Sequence, residues 1–481
     1  MSSDTNDGNS LLSGFSKLSL GAGTDAVPVA ASTHAASLPD ELLCEIFSYG
    51  SAGPGDFPVG SMISSNTGRA KSPFLLSAVC TRWRVAALSS GKLWHYILIG
   101  AREPDETIIR YVRILFDRSR DVSIDIVFKH IDHKYDNAYA TLFGVLDVHR
   151  DRWRRLIAKF TPQMTDQMLK LLYGATPRLR TVQFSLQADV RDNSFNMGVV
   201  ETLPDATFKD ELFLRDAPTL YCLTLVNMPL VWKCWPITRQ PKLKMIEMLQ
   251  NTLILNELWP ILHHQNEIEW LFLGAISVVR SADSEVVEPI TLPALDGLWI
   301  EHEADALFHH YPTVLHMPAL VELTLEGVLF RNLPNLFVHV TSTTHLRELC
   351  IRRVGAFGRV EVEILQLLER IESVQFMWSP IPAALLTRLI SSERDAVMWP
   401  RMVYLELYAS MMDSESANEH HALALAKMRS EPGPIEGDQK NQRPKWMRCE
   451  FVISGDGHSL GEDEVNEIRN IEKQVELANK K

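Results

Sequence analysis

The sequence predicts an α/β chain: a short all-α domain near the N-terminus, then a horseshoe solenoid of strand–helix repeats. Three observations predict it. Apolar residues recur at helical spacing within residues 38–97. The pattern L-x-x-L-x-L then returns nine times between residues 179 and 407. Several intervals hold further helical patterns, among them Leu255-Leu258-Trp259-Leu262, Val362-Leu365-Leu368 and Ala384-Leu385-Leu389.

Residues 1–37 are rich in Ser, Gly, Ala, Asp and Asn. With few large apolar side chains to offset the entropy of ordering, they read as a disordered tail. In DELLCEIF, Leu42, Leu43, Ile46 and Phe47 lie at helical spacing, with Pro39 in the first turn and Asp40-Glu41 at the positive dipole end. A Gly/Pro/Ser insertion, residues 48–73, reads as loop. The helical pattern returns from Leu75 to Leu88 through Val79, Trp83 and Ala87, and Ser89-Ser90-Gly91 stops it. Leu93, Trp94 and Ile97 form a last packed segment, which closes a domain at 38–104. Residues 105–150 connect it onward: DETIIRYVRILFD is an amphipathic helix, and VSIDIVF alternates as a strand.

Residues 151–412 hold the repeats, anchored at Leu179, Leu220, Leu243, Ile268, Leu295, Leu320, Leu346, Ile371 and Met402. Their steps are 41, 23, 25, 27, 25, 26, 25 and 31 residues. Most fall within the period of about 20–29 that marks a leucine-rich repeat, where one strand and one helix bury their apolar faces only by stacking on neighbours. Pro177, Pro218, Pro241, Pro293, Pro318 and Pro400 precede six of the anchors. The asparagine expected after L-x-L is mostly missing, with Asn227 a candidate, so the repeats are irregular. The long first step has room for one further copy around Phe208–Leu214. Residues 413–445 read as a polar loop, and 446–481 as a last strand and a capping helix.

The first 60 residues of this ordered region resemble the F-box, the adaptor-docking motif of cullin–RING ubiquitin ligases. Leu38-Pro39-x-Glu41-Leu42-Leu43-x-x-Ile46-Phe47 matches its first helix, and Val79-Cys80-x-Arg82-Trp83-Arg84 with Leu93-Trp94 matches its later part. The style is that of fungal, basidiomycete-like F-box proteins with divergent leucine-rich arrays. The insertion between the halves is longer than the family's usual few residues, at small cost in loop entropy. The resemblance implies a substrate-recognition subunit of an SCF-type ubiquitin ligase, non-catalytic itself. Its partners would be a Skp-type adaptor, a cullin through it, and an unknown protein substrate. By carry-over, Leu38, Pro39, Leu42, Leu43, Ile46, Phe47, Leu75, Leu76, Val79 and Trp83 would meet the adaptor or form the motif's own core. A leucine-rich scaffold without a ligase role is the alternative.

Composition narrows the partners. With 48 basic against 60 acidic residues the net charge is −12. That disfavours nucleic acid and anionic membranes and favours a basic substrate. Six cysteines at 44, 80, 222, 234, 350 and 449 have no zinc-ribbon spacing and suit a reducing compartment. The start, MSSDTNDGNS, has no basic n-region, and no 18-residue apolar run occurs, so a cytoplasmic or nuclear location is expected. His263-His264, His309-His310 and His420-His421 point their members apart and lack a partnering acidic residue at ligand spacing. No P-loop and no G-x-S-x-G elbow is present. No catalytic residue, cofactor or metal is therefore expected.

In L-x-x-L-x-L the leucines face inward and the flanking positions face the open side of the strands, because strand side chains alternate. Those positions include Glu247, Trp270, Phe272, Trp299, Glu301, Glu322, Glu326, Glu348, Arg352, Tyr404, Glu406 and Tyr408. Trp270, Phe272, Trp299, Glu301, Glu322, Glu326 and Glu348 are the candidate substrate-binding set, fitted to a peptide with an apolar anchor and basic flanks. A covering terminal segment, or a strand shift of one residue that makes the aromatics core, stays open as the alternative.

Overall fold

The amphipathic run at Leu42–Phe47 lies in helix α1 (Asp40–Ser51), which buries Leu43 and Phe47. Two more helices come next, α2 (Thr67–Val79) and α3 (Thr81–Ser89). The structure, a computed structural model, describes residues 38–51, 67–100, 103–187, 217–228, 243–249, 252–254, 262–274, 277–279, 290–302, 315–328, 336, 345–354, 359–366, 368–379, 381, 383–390, 398–408, 424–427, 430, 450–454, 466–471 and 473–474. The predicted tail at 1–37, most of the insertion (52–66), the further repeat copy at 208–214, the helical pattern at 255–261 and most of the polar stretch 413–445 lie outside the described residues.

Helix α2 begins two turns earlier than its apolar spacing suggests and carries Pro73 inside it. Proline in a helix interior removes a hydrogen bond and crowds the preceding turn. The turn before it is held by tertiary contacts instead. Ala70 packs in one cluster with Tyr96, Leu98, Val127 and Ile157, and Arg69 reaches Asp125. Cys80, in extended conformation, separates α2 from α3, and its sulfur accepts from the Trp83 N–H at 3.4 Å as a cap.

The chain forms two compact units, 1–224 with 233–241, and 225–232 with 242–481. In the first, β1 (Tyr96–Ile99), β2 (Ile124–Ile131), β3 (Trp153–Phe160) and β4 (Thr181–Leu186) pair in parallel. Helices α4 (Glu106–Ser119), α5 (Asp136–Asp147) and α6 (Thr165–Lys170) alternate with them. Asp105 caps α4, accepting from Ile108 N–H at 2.9 Å, and Ile108, Ile109, Val112, Leu115 and Phe116 form its buried stripe. Helix α2 lies on one face of this ladder through Ala70. On the other face Phe128 meets Phe143 of α5, ring centroids 5.9 Å apart. Strand β5 (Cys222–Val226) falls at the unit boundary in sequence.

The second unit carries the parallel ladder of β6 (Met245–Leu249), β8 (Trp270–Gly274), β11 (Gly297–Glu301), β13 (Glu322–Glu326), β14 (Glu348–Arg352), β15 (Ser373–Met377), β16 (Tyr404–Tyr408) and β17 (Glu450–Ser454). Two small parallel pairs stand apart from it, β7 (Thr252–Ile254) with β9 (Ser277–Val279), and β10 (Ile290–Thr291) with β12 (Leu315–His316). Helices α7 (Arg359–Gln366) and α8 (Ala383–Ile390) lie between main strands. Each copy of L-x-x-L-x-L contributes one strand.

Two fold expectations are corrected. The N-terminal domain is not all-α, because Tyr96–Ile99 pairs with β2 and the helices before it pack onto that ladder. The second unit is not a horseshoe of leucine-rich strand–helix repeats. Among the described residues it is dominated by parallel strands, and α7 and α8 are short. Of the interval patterns read as helix, Val362-Leu365 and Ala384-Leu385-Leu389 lie in α7 and α8, but other interval residues, Thr252-Leu253-Ile254 and Ser277-Val278-Val279, form a paired strand ladder that their β-branched side chains favour. The architecture is an α/β fold built on parallel strands.

The strands are entered in one repeated way, with a single carbonyl accepting from two successive N–H groups of the next strand. Lys244 O accepts from Glu269 and Trp270 at 2.8 and 2.9 Å, and Glu269 O from Asp296 and Gly297 at 2.9 and 3.0 Å. Asp296, Val321, Arg347 and Glu372 repeat the arrangement. Five exits share one conformation. Asn227, His302, Gly327, Arg353 and Trp378, each directly after a strand, have φ between 49° and 61°. Gly327, Arg353 and Trp378 donate to the last carbonyl of the neighbouring strand at 2.8, 2.9 and 2.9 Å.

Asp125, 1 % exposed, anchors the first unit. Arg154 binds it in bidentate fashion at 2.7 and 2.6 Å, and Arg69 lies 3.4 Å away. Arg69 also donates to His95 Nε2 at 2.7 Å, while His95 Nδ1–H donates to Lys92 O, which fixes the neutral tautomer. Removing one partner of a buried pair leaves uncompensated charge, typically worth about 3–5 kcal/mol. Asp125→Asn should therefore lower unfolding free energy by about that much in urea denaturation. Burial, and less strongly Arg69 and Arg154, hold the His95 pKa below its ordinary 6.5, with Asp125 opposing. The unfolded chain then takes up this proton first. The His95 contribution should be full above pH 6.5 and decline as pH falls below it, and His95→Gln should flatten that part of a stability–pH curve.

Candidate functional site

Helices α1–α3 sort their apolar residues into two sets. Leu43 and Phe47 are buried, and the Trp83 ring packs on Phe47 at a 58° tilt with centroids 4.9 Å apart. Arg82 binds Asp40 at 3.0 Å and the Leu38 carbonyl, Arg84 binds Ser77 O at 3.0 Å, and Cys44 Sγ donates to Ala86 O at 3.4 Å. Trp94 is fully buried, with its Nε1–H on Ala87 O at 2.8 Å. The run Cys80-x-Arg82-Trp83-Arg84 thus closes the three helices on one another.

The second set faces outward. Leu42 is 49 %, Ile46 53 %, Leu75 65 % and Val79 60 % exposed. Leu42/Ile46 and Leu75/Val79 are i,i+4 pairs, so each pair shares one helix face. Pro39 is exposed, and Leu38, Leu76 and Trp83 are half-buried. Of the ten residues carried over from the family motif, Leu43 and Phe47 hold the hairpin together, and these four present apolar surface. Sequence reasoning missed Tyr49, 84 % exposed, although it lies seven residues beyond Leu42 on the same helix face. Val85 and Leu88 of α3 are exposed as well.

The second candidate surface lies on the ladder of the second unit. Leu271, Leu298, Leu323, Leu349, Val374 and Leu405 stack in register on one face, with Leu273, Ile300, Leu325, Ile351, Phe376 and Leu407, and all are buried. The opposite face carries three rows. The first runs Trp270, Gly297, Glu322, Glu348. Phe272, Trp299, Thr324 and Cys350 make the second, and Gly274, Glu301, Glu326 and Arg352 the third. All seven candidate substrate-binding residues therefore share this face. Phe272 is buried, Glu348 is exposed, and Trp270, Trp299, Glu301, Glu322 and Glu326 are half-buried.

Local chemistry shapes the surface. The Trp270 ring lies across Gly297, where a Cβ would meet ring atoms at 2.1 Å. Phe272 stands between Trp270 and Trp299, centroids 6.3 and 5.3 Å away. The Arg352 guanidinium sits 4.8 Å above the Trp299 ring and donates to Cys350 Sγ at 3.2 Å. Arg353 pairs with Glu326 at 3.4 Å, and His302 with Glu301 at 3.2 Å. Burial, then the neighbouring Glu326, pushes the Glu301 pKa up, and burial, then Glu348, does the same for Glu322. Arg353 and His302 were missed in sequence because their placement depends on left-handed backbone that periodicity does not reveal.

Among the described residues no group of three His, Cys, Asp or Glu could hold a metal ion, and no helix is long and apolar enough to cross a membrane. His263 and His264 lie with ring centroids 5.6 Å apart. No protein-family model and no curated protein matches the chain.

The raised Glu322 pKa has a sign for stability. Folding favours its protonated form, so its favourable contribution is present below the ordinary value of 4.5 and lost as pH rises through the folded value. At neutral pH Glu322→Gln is expected to raise the melting temperature of the full chain, and the gain should vanish near pH 4.

Proposed function

We propose that this protein is a substrate-recognition subunit of an SCF-type ubiquitin ligase. Helices α1–α3 dock a Skp-type adaptor, and the parallel ladder of the second unit presents the substrate. The observation that carries the reading is the outward display of Leu42, Ile46, Leu75 and Val79 on helices that Arg82 and Arg84 tie to one another. Apolar anchors desolvated by a partner supply most of the binding energy of such interfaces, about 2 kcal/mol or more each. The subunit has no chemistry of its own in this reading. It raises the local concentration of a substrate lysine near a loaded E2, as positioning does for any bimolecular step. The net charge of −12 supports a protein partner over nucleic acid.

The test is co-purification of the full chain with a Skp-type adaptor. Leu42→Asp/Leu75→Asp should weaken capture by about a hundredfold or more, two anchors at about 1.4 kcal/mol per decade. Because both side chains are exposed, thermal melting should change little. Capture that survives the double variant would overturn the docking surface. Adaptor binding without substrate-dependent ubiquitin transfer in a reconstituted ligase would mark a scaffold instead.

A further inference from the structure

The face of the second unit's ladder opposite the leucine rows combines two features. It holds an aromatic wall of Trp270, Phe272 and Trp299, and beside it the carboxylates Glu301, Glu322, Glu326 and Glu348. Among the described residues of these rows and their exits, Arg352, Arg353 and His302 stand beside those four carboxylates, and Arg353 and His302 are drawn to Glu326 and Glu301 rather than to Glu322 and Glu348. In register, neighbouring strands stand about 4.8 Å apart, so Glu322 and Glu348 are forced together. Trp270, spread over Gly297, is next in the same row, which sets an apolar ring beside a pair of like charges.

The arrangement already accepts one cation. Arg352 of the chain itself rests on Trp299 at 4.8 Å, within the range of a cation–π contact. The Trp270 end of the row has the same elements, ring and carboxylates, and the described residues place no guanidinium on that ring. A lysine or arginine side chain fits this end. Its methylene stem would cover Trp270 and its head would lie between Glu322 and Glu348.

We propose that this face binds a cationic peptide segment of the substrate protein, with a basic side chain held between Trp270 and the Glu322/Glu348 pair. The inference deepens the receptor reading by naming the substrate class, and it rests on that reading for its role. A cation there would relieve repulsion that burial strengthens, so affinity should be sensitive to salt.

The probe is a fluorescein-labelled heptapeptide, GKRFKRG, with GEEFEEG as its charge-reversed control, titrated by fluorescence anisotropy against the full chain. GKRFKRG should bind and GEEFEEG should not. Glu322→Gln/Glu348→Gln should weaken binding by about tenfold or more, whereas Glu106→Gln/Glu369→Gln, with the same change in net charge, should leave it unaltered. Gly297→Ala, which displaces the Trp270 ring without touching a charge, should weaken it as well. Equal losses in the two glutamine pairs would reduce the effect to net charge and overturn the proposal. So would binding indifferent to both Glu322/Glu348 and Gly297, or self-association that buries the face in a second copy. Adaptor capture measured on the same variants should be unchanged, so failure here and failure of the docking surface are told apart.

Discussion

The second unit depends on one constraint, the unbroken register of its parallel ladder. Each strand is five residues long, and its second and fourth side chains point into the core. Rows such as Leu271, Leu298, Leu323 and Leu349 then stack at strand spacing. Burying each leucine contributes about 1.5–3 kcal/mol, and a slip of one residue would exchange the leucine rows for glutamates and tryptophans. The penalty for slippage is collected on every strand at once. The paired N–H donors at the entries of β8, β11, β13, β14, β15 and β16, and the left-handed residues that follow β11, β13, β14 and β15, hold the same register from both ends.

In the first unit the comparable anchor is polar. Asp125 draws Arg154 from β3 and Arg69 from α2 to one buried point, and His95 joins them as a neutral ring. Aromatic packing adds to it: Phe74 of α2 meets Trp94 edge-on at 5.1 Å, and Arg118 of α4 lies over the Trp94 ring at 4.3 Å. The helices that display Leu42 and Leu75 are therefore fixed to a sheet. A preorganised surface gives up less entropy when a partner arrives.

Much of this was legible in sequence where a period carried the signal. The nine leucine copies located nine strands, and alternation gathered Trp270 through Glu348 on one face. The spacing of Leu42 and Ile46 marked a helix. What sequence concealed was tertiary. Pro73 argued against a helix that Ala70 and Arg69 nevertheless hold in place. Tyr96–Ile99 is too short to announce itself as a strand, yet its pairing with β2 is what makes the first domain α/β. The spacing of Val362-Leu365 and Ala384-Leu389 marked two helices, whereas Leu253 and Val278 pair as strands, a choice that local spacing does not decide.

The left-handed exits at Asn227, His302, Gly327, Arg353 and Trp378 have a consequence for how such a chain can diversify. At these five exits the chain leaves its strand through the same backbone rotation. A loop can therefore lengthen, shorten or change composition without transmitting torque to the next strand. Variation beyond such an exit is insulated from the framework, because the leucine rows and their register are complete before the chain turns away.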